Sequence, residues 1–109
     1  MNCKSLDCLL RPLGITKNQK CYPTLVLCLA LVCSRPDSLQ ALSKEVYMPI
    51  SKASGLTWKS VENVIRRAST LAWEINPKRV QELAGYPLAR RPTAGAFLEM
   101  LWNAMEQEQ

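Results

Sequence analysis

The sequence contains no histidine among its 109 residues, and this absence excludes several kinds of catalytic and metal site. Ser-His-Asp triads, Cys-His pairs and mixed Cys/His zinc sites all require an imidazole. The chain also has no glycine-rich phosphate loop and no paired-carboxylate motif. We therefore expect no enzymatic activity, no metal site and no cofactor.

The five cysteines do not form a disulfide framework or a zinc-ligand pattern. Their number is odd, and their positions contain no Cys-x-x-Cys pair: Cys3, Cys8, Cys21, Cys28 and Cys33. Cys28 and Cys33 lie among Leu, Val and Ala, where a thiol behaves as a small apolar side chain. For Cys3 and Cys8, exposure and oxidation stay open.

Long apolar runs are missing as well. The longest, residues 25–33, has nine residues, which is too short to cross a bilayer and predicts a buried helix. The first residues do not follow a signal-peptide pattern.

Because 48% of the residues are apolar and 21% are charged, the composition is that of a globular protein, and the length fits one domain, 1–109. We expect a cytoplasmic protein with no membrane contact.

Charge is distributed unevenly along a chain whose net charge is +5. Residues 44–91 contain nine basic and four acidic residues, whereas residues 92–109 contain three glutamates and no basic residue. A basic middle segment favours a polyanionic partner, although an ordinary solvated face gives the same pattern.

The strongest periodicity lies in residues 57–74, which predict one amphipathic helix. Its apolar face recurs every three or four residues: Trp58, Val61, Ile65, Ala68, Ala72 and Ile75, flanked by Val64 and Leu71. Its polar face carries Lys59, Asn63, Arg66, Arg67 and Thr70, with Glu62 at the margin. Thr57 is placed to cap the helix. We expect Trp58, Trp73 and Trp102 in the core.

A short break precedes this helix and separates it from another helical pattern. The break is Ser54-Gly55-Leu56. A helix, a glycine-containing turn and a second helix with a basic outer face are typical of a helix-turn-helix, which we assign to residues 44–74.

The remaining segments also predict helices. They are residues 5–13, residues 22–33, a segment through residues 38–50 interrupted at Pro49, residues 76–83, and a last helix from residue 92 onwards. Asp37 or Ser38 is expected to cap the interrupted segment. The prediction is an all-α fold, a compact bundle of about six helices, with residues 1–12 as an extension or first helix.

Short motifs along the chain occur in an order that is specific to one family. They are Leu13-Gly14-Ile15, Lys20-Cys21-Tyr22, Val46-Tyr47-Met48-Pro49-Ile50, Val61-Glu62-Asn63-Val64-Ile65-Arg66-Arg67-Ala68, Ala72-Trp73, Gly85-Tyr86, Arg91-Pro92-Thr93 and Phe97-Leu98. With these motifs, residues 13–109 resemble the C-terminal DNA-binding effector domain of the stage-zero sporulation master regulator of endospore-forming bacteria.

The resemblance implies a six-helix effector domain like those of the winged-helix superfamily, with residues 57–74 as the recognition helix in the major groove of double-stranded promoter DNA. It implies head-to-tail pairs on tandem boxes and allows a contact with RNA polymerase. Only residues 1–12 precede the resemblance, so we expect no phospho-receiver domain in this chain.

Three residues match the family's base-contacting positions: Glu62, Asn63 and Arg66. Position 63 is an arginine in the regulator. Because asparagine suits adenine and arginine suits guanine, we expect a different or weaker sequence preference here. Glu62 has an equal alternative, an ion pair with Arg66 one turn further on. Phosphate contacts are expected from Lys59, Arg67, Thr57, Ser60, Arg90 and Arg91.

Two functions stay open at this point. The first is a small cytoplasmic transcription factor, associated with the nucleoid when bound, that acts by occupying promoter DNA. The second is an interaction module that does not recognise DNA sequence and binds the full-length regulator or RNA polymerase.

Overall fold

A computed structural model describes residues 3–107, and these residues form six α-helices and no β-strand. The helices are α1 (Cys3–Leu10), α2 (Tyr22–Ser34), α3 (Met48–Ser54), α4 (Trp58–Ile75), α5 (Pro77–Ala84) and α6 (Ala94–Gln107). Two 3₁₀ segments, Arg11–Leu13 and Pro36–Ala41, and a π-helical turn, Ser43–Tyr47, complete the helical structure. The expected all-α bundle of about six helices is confirmed.

The core lies where α2, α4 and α6 pack against one another. Its buried side chains include Leu25 and Leu29 from α2, Val61 and Ile65 from α4, and Phe97 from α6. The run of apolar residues in α2 has the expected central position, except that Leu27 is 44% exposed. No helix within residues 3–107 is both long enough and apolar enough to span a membrane.

The segment before α3 departs from the helix that was expected up to a kink or break at Pro49. It is a 3₁₀ segment followed by the π-helical turn, in which the Met48 N–H bonds the Ser43 carbonyl five residues earlier. This turn brings both Val46 and Tyr47 into the core, and α3 then begins with Pro49 in its first turn, where no amide donor is needed.

The predicted cap of this segment at Asp37 or Ser38 is wrong. The 3₁₀ segment begins at Pro36 and has no side-chain cap, so both residues lie inside it. Ser38 is 1% exposed, and its hydroxyl has no hydrogen-bond partner among the described residues.

The turn between α3 and α4 has the geometry that the sequence predicts. Gly55 ends α3 with a φ of 78°, a left-handed conformation that glycine adopts readily. Two residues later, the Thr57 side chain accepts a hydrogen bond of 3.1 Å from the Ser60 N–H and caps α4. The helix α3, the turn at Gly55 and the helix α4 therefore follow one another within residues 48–75.

The two ends of α4 are more exposed than expected. Trp58 is 39% exposed and Ile75 is 56% exposed, so the prediction that both lie in the core is wrong. An 18-residue helix is about 27 Å long, which matches the shorter dimensions of the domain, 27 and 26 Å. The first and last apolar residues of the stripe therefore extend to the surface.

The far end of α4 is anchored to the N-terminal part of the chain. The Asn76 side-chain amide donates a hydrogen bond of 3.1 Å to the Pro12 carbonyl, and its oxygen accepts the Arg79 N–H at the start of α5. Ile75 packs closely on Gly14, where an added Cβ would lie only 2.7 Å from Ile75 Cδ1. These contacts fix the direction of α4 relative to the first residues of the bundle.

Candidate nucleic-acid interface

The outer face of α4 carries a row of polar and basic side chains. Lys59, Asn63, Arg66 and Arg67 are exposed, and Glu62 and Ser60 are half-buried. The inner face consists of Val61, Ile65, Ala68, Ser69 and Ala72, all of them buried. The helical period therefore separates one face for packing from one face that is free to meet a ligand.

At the start of α4, the hydroxyl groups are already engaged with one another. Thr57 accepts from the Ser60 N–H, and its own hydroxyl lies 2.9 Å from the Ser60 hydroxyl, to which it donates. Lys59 Nζ lies 6.0 Å from the centre of the Trp58 ring, a cation–π contact at the surface. Thr57, Lys59 and Ser60 thus form an ordered polar tip at the end of the helix that follows the turn.

Glu62 and Arg66 form an ion pair one helical turn apart. Arg66 Nη2 donates a hydrogen bond of 3.0 Å to Glu62 Oε1, and the two side chains are 49% and 29% exposed. A surface pair of this spacing contributes about 0.3–0.5 kcal/mol. The pair is weak enough for a ligand that offers better hydrogen bonds to replace it.

A shallow groove runs along one side of this face, and Arg91 contributes to it from outside the helix. The groove has a volume of about 440 Å³ and is lined by Asn63, Arg66, Arg67, Thr70, Leu71, Glu74 and Arg91. Arg90 is exposed but does not line this groove. The structure therefore brings Arg91 to the outer face of α4, whereas Arg90 does not line this groove.

A buried hydrogen bond explains how Arg91 reaches this position. The Ser69 hydroxyl, on the inner face of α4, donates to the Pro92 carbonyl over 2.7 Å. Pro92 is itself buried, so the loop between α5 and α6 is held against α4 at this point. Ser69 was not among the predicted site residues. The signal in the sequence is its place as a polar residue on the buried, otherwise apolar face of α4.

A second groove adjoins the first, with which it shares Arg66 and Arg91, and lies between α4, the π-helical turn and the start of α6. It has a volume of about 720 Å³, and we call it the Tyr47 groove. Its polar lining includes Lys44, Tyr47, Glu62, Arg66, Arg91 and Thr93. Lys44 and Tyr47 were not among the predicted site residues, because only the π-helical turn brings them beside α4.

Burial changes the acid–base properties of two groups behind this face. It raises the pKa of Tyr47 to about 12, and the nearby negative charge of Glu62 adds to this shift. Burial also raises the pKa of the Cys28 thiol to about 12. Both groups are therefore neutral at physiological pH.

The described residues contain no group of three or more side chains of His, Cys, Asp or Glu that could hold a metal ion. Of the two cysteines whose exposure was left open, Cys8 is exposed. The Cys3 side chain lies outside the described part of the structure.

The chain matches a known protein family over most of its length. Residues 6–105 match the family described as "Sporulation initiation factor Spo0A C terminal". The chain belongs to this family. The match covers 100 of the 109 residues, from α1 into α6.

Membership in the Spo0A C-terminal family settles the general function. The family is the DNA-binding effector domain of a sporulation regulator and is not a catalytic family. This chain is accordingly a DNA-binding effector domain of transcription regulation. The residue-level assignments on α4 and at Arg90 and Arg91 stay predictions.

Proposed function

We propose that the chain is a sequence-specific transcriptional regulator that inserts α4 into the major groove of promoter DNA. The observation that supports this most strongly is the exposed row of Lys59, Asn63, Arg66 and Arg67 on the helix that follows the Gly55 turn. An α-helix with its side chains is about 10–12 Å wide, and the major groove is about 12 Å wide and displays a distinct pattern for each base pair.

Three side chains on this face are proposed to contact bases. Arg66 suits guanine O6 and N7, Asn63 suits adenine N6 and N7, and Glu62 accepts from the cytosine amino group. Glu62 and Arg66 hold each other in free protein, so contact with a base requires this pair to rearrange. Breaking the Glu62–Arg66 pair costs little free energy because the pair is exposed to solvent.

Phosphate contacts are proposed on both sides of the base-contacting residues. Lys59 and Arg67 lie on the outer face of α4, while Thr57 and Ser60 lie at its start, where the positive end of the helix dipole favours an anion. Arg91 lies beside Arg66 and Arg67 in the shallow groove. Arg90 is proposed at the edge of the same interface.

The proposed assembly follows the family pattern. Two copies would bind head to tail on tandem boxes in a promoter, in the bacterial cytoplasm and at the nucleoid, with RNA polymerase as a further protein contact. Glu62, the acidic side chain in this row, offsets one of the three positive charges of Lys59, Arg66 and Arg67, so the outer face of α4 stays basic.

A second candidate function has one observation in its favour. Leu56 and Trp58 are 41% and 39% exposed at the tip of the helix-turn-helix. Exposed apolar residues of this size are often part of protein interfaces. In this alternative the domain binds the full-length regulator or RNA polymerase without recognising a DNA sequence.

Fluorescence anisotropy separates the two candidates. The whole chain is titrated against a duplex that carries the regulator's box in tandem and against a scrambled duplex, each at two salt concentrations. Preference for the box supports the proposal. Equal and strongly salt-dependent binding to both duplexes means that the protein recognises another DNA sequence or binds DNA without sequence preference. Selection from random DNA distinguishes these two cases. Absence of binding at low salt favours the interaction module.

A further inference from the structure

The Tyr47 groove combines features that phosphate recognition requires, and two of its lining residues, Lys44 and Tyr47, are not among the proposed base and phosphate contacts. Three basic side chains, Lys44, Arg66 and Arg91, line it together with one acidic side chain, Glu62, which is paired with Arg66. Three positive charges and one negative charge leave a net charge of +2. A groove of this charge attracts anions.

The start of α6 adds backbone donors to the same groove. The Ala96 N–H bonds the Thr93 hydroxyl and the Phe97 N–H bonds the Thr93 carbonyl. The N–H groups of Ala94 and Gly95 precede them in the first turn of this 14-residue helix, where no carbonyl of the helix can accept from them. Both residues line the groove. Unpaired N–H groups at the positive end of a helix favour an anion.

The Tyr47 hydroxyl is the second, independent feature. Tyr47 lines the groove and is only 2% exposed as a whole residue, and its hydroxyl makes no hydrogen bond with the side chains and backbone that the structure describes. The fully buried polar side-chain atoms without a partner in this part of the chain are Ser38 Oγ and Trp102 Nε1, so the Tyr47 hydroxyl keeps contact with solvent, where a ligand in the groove can accept a hydrogen bond from it. The Tyr47 hydroxyl is protonated at neutral pH, as tyrosine ordinarily is, so it is able to donate to an oxyanion.

We propose that the Tyr47 groove binds a phosphate group, which the DNA backbone beside α4 supplies when the domain is on DNA. Tyr47, Lys44, Arg91 and the N–H groups of Ala94 and Gly95 would be its donors. The assignment of the DNA backbone as the source rests on the proposed function, whereas the groove itself does not. A phosphate held here would lie next to the groove lined by Arg67, because both grooves are lined by Arg66 and Arg91.

Two measurements test the groove and its ligand separately. In the first, inorganic phosphate is added to the whole chain, and the amide NMR signals of Ala94 and Gly95 are followed against sodium chloride of equal ionic strength. Phosphate should shift both signals, and Tyr47→Phe, which keeps the ring in the core, should reduce the shift.

In the second, DNA binding is measured across a salt series for Tyr47→Phe and Lys44→Met. Tyr47→Phe should weaken binding by about tenfold, as expected for a lost hydrogen bond to a charged group. Lys44→Met should lower the slope of log affinity against log salt by about one. Lys78→Met is the matched control. Lys78 lies on α5 and lines a separate groove, so this variant should change neither the DNA affinity nor the slope of log affinity against log salt.

The outcomes are distinguishable. A phosphate shift together with weaker DNA binding supports the site and the DNA backbone as its ligand. A phosphate shift with unchanged DNA binding supports the site with free phosphate as its ligand. No shift and unchanged DNA binding in both variants overturns the proposal. If the unaltered protein binds no DNA, the proposed function fails, and the phosphate titration still decides whether the groove is a site.

Discussion

The Ser69 hydroxyl and the Pro92 carbonyl are joined by a buried hydrogen bond of 2.7 Å across 23 residues of sequence. Ser69 lies on the inner face of α4, and Pro92 ends the loop that carries Arg91. This contact connects α4 to the loop whose Arg91 extends the basic surface of that helix. The two grooves beside α4 both include Arg91, so the position of the loop shapes both.

Replacing Ser69 with alanine should lower stability and displace Arg91. The variant leaves the buried Pro92 carbonyl without its donor, which costs about 1–3 kcal/mol. Urea denaturation measures the loss, and DNA anisotropy should show a weaker complex. Ser34→Ala is the control, because the Ser34 hydroxyl bonds the Ala30 carbonyl on the exposed side of α2. A Ser69→Ala variant as stable as Ser34→Ala would contradict the anchoring role.

Replacing Arg66 with alanine should relax base preference. If Arg66 contacts a guanine edge, the variant loses about 1–3 kcal/mol of binding free energy on the preferred site and much less on a scrambled site. Anisotropy with both duplexes measures the difference. Arg79→Ala removes a comparable ion pair, with Glu82 on α5, and should leave DNA binding unchanged. An equal loss on both duplexes would show that Arg66 contacts only the backbone.

Replacing Arg67 with alanine should weaken binding to all sequences alike. A phosphate contact releases about one counterion, so the slope of log affinity against log salt should fall by about one. The measurement is a salt series with the tandem-box and scrambled duplexes. A selective loss on the box, with an unchanged slope, would move Arg67 to the base-contacting group.

The stability of the domain should decrease in alkaline solution. The pKa values of Cys28 and Tyr47 are raised from 9.0 and 10.0 to about 12 in the folded protein, so the unfolded chain releases these protons first. The contribution of these two groups to the free energy of unfolding is therefore fully present below pH 9 and is lost as the pH rises towards 12. Urea denaturation at several pH values measures this. Tyr47→Phe should show a shallower decrease above pH 10, whereas Tyr86→Phe, at an exposed tyrosine, should follow the unaltered protein.

Much of the fold is predictable because local signals agree with the packing. The stripe from Val61 to Ala72 is buried as its period indicates, and Thr57 and Asn76 cap the helices that follow them. Gly55 takes the left-handed conformation at the turn where the pattern breaks. In each case one residue type satisfies a requirement of the adjacent backbone, so the sequence alone carries the information.

The remaining features depend on contacts between distant segments. Arg90 and Arg91 are neighbours with the same charge, and Arg91 lines the groove beside α4 where the Ser69–Pro92 hydrogen bond holds the loop. The π-helical turn that places Lys44 and Tyr47 has no local sequence signal that we recognise. Trp58 fits the apolar period, but the length of α4 relative to the bundle brings it to the surface.

Amide NMR of the whole chain during titration with the tandem-box duplex tests the central claim, that α4 is the surface that meets DNA, most directly. We predict that the largest signal changes fall on residues 57–67, on the outer side and start of α4, and on Arg91. The signals of α5 should change little. Changes concentrated on α5 or α1, with α4 unaffected, would contradict the account.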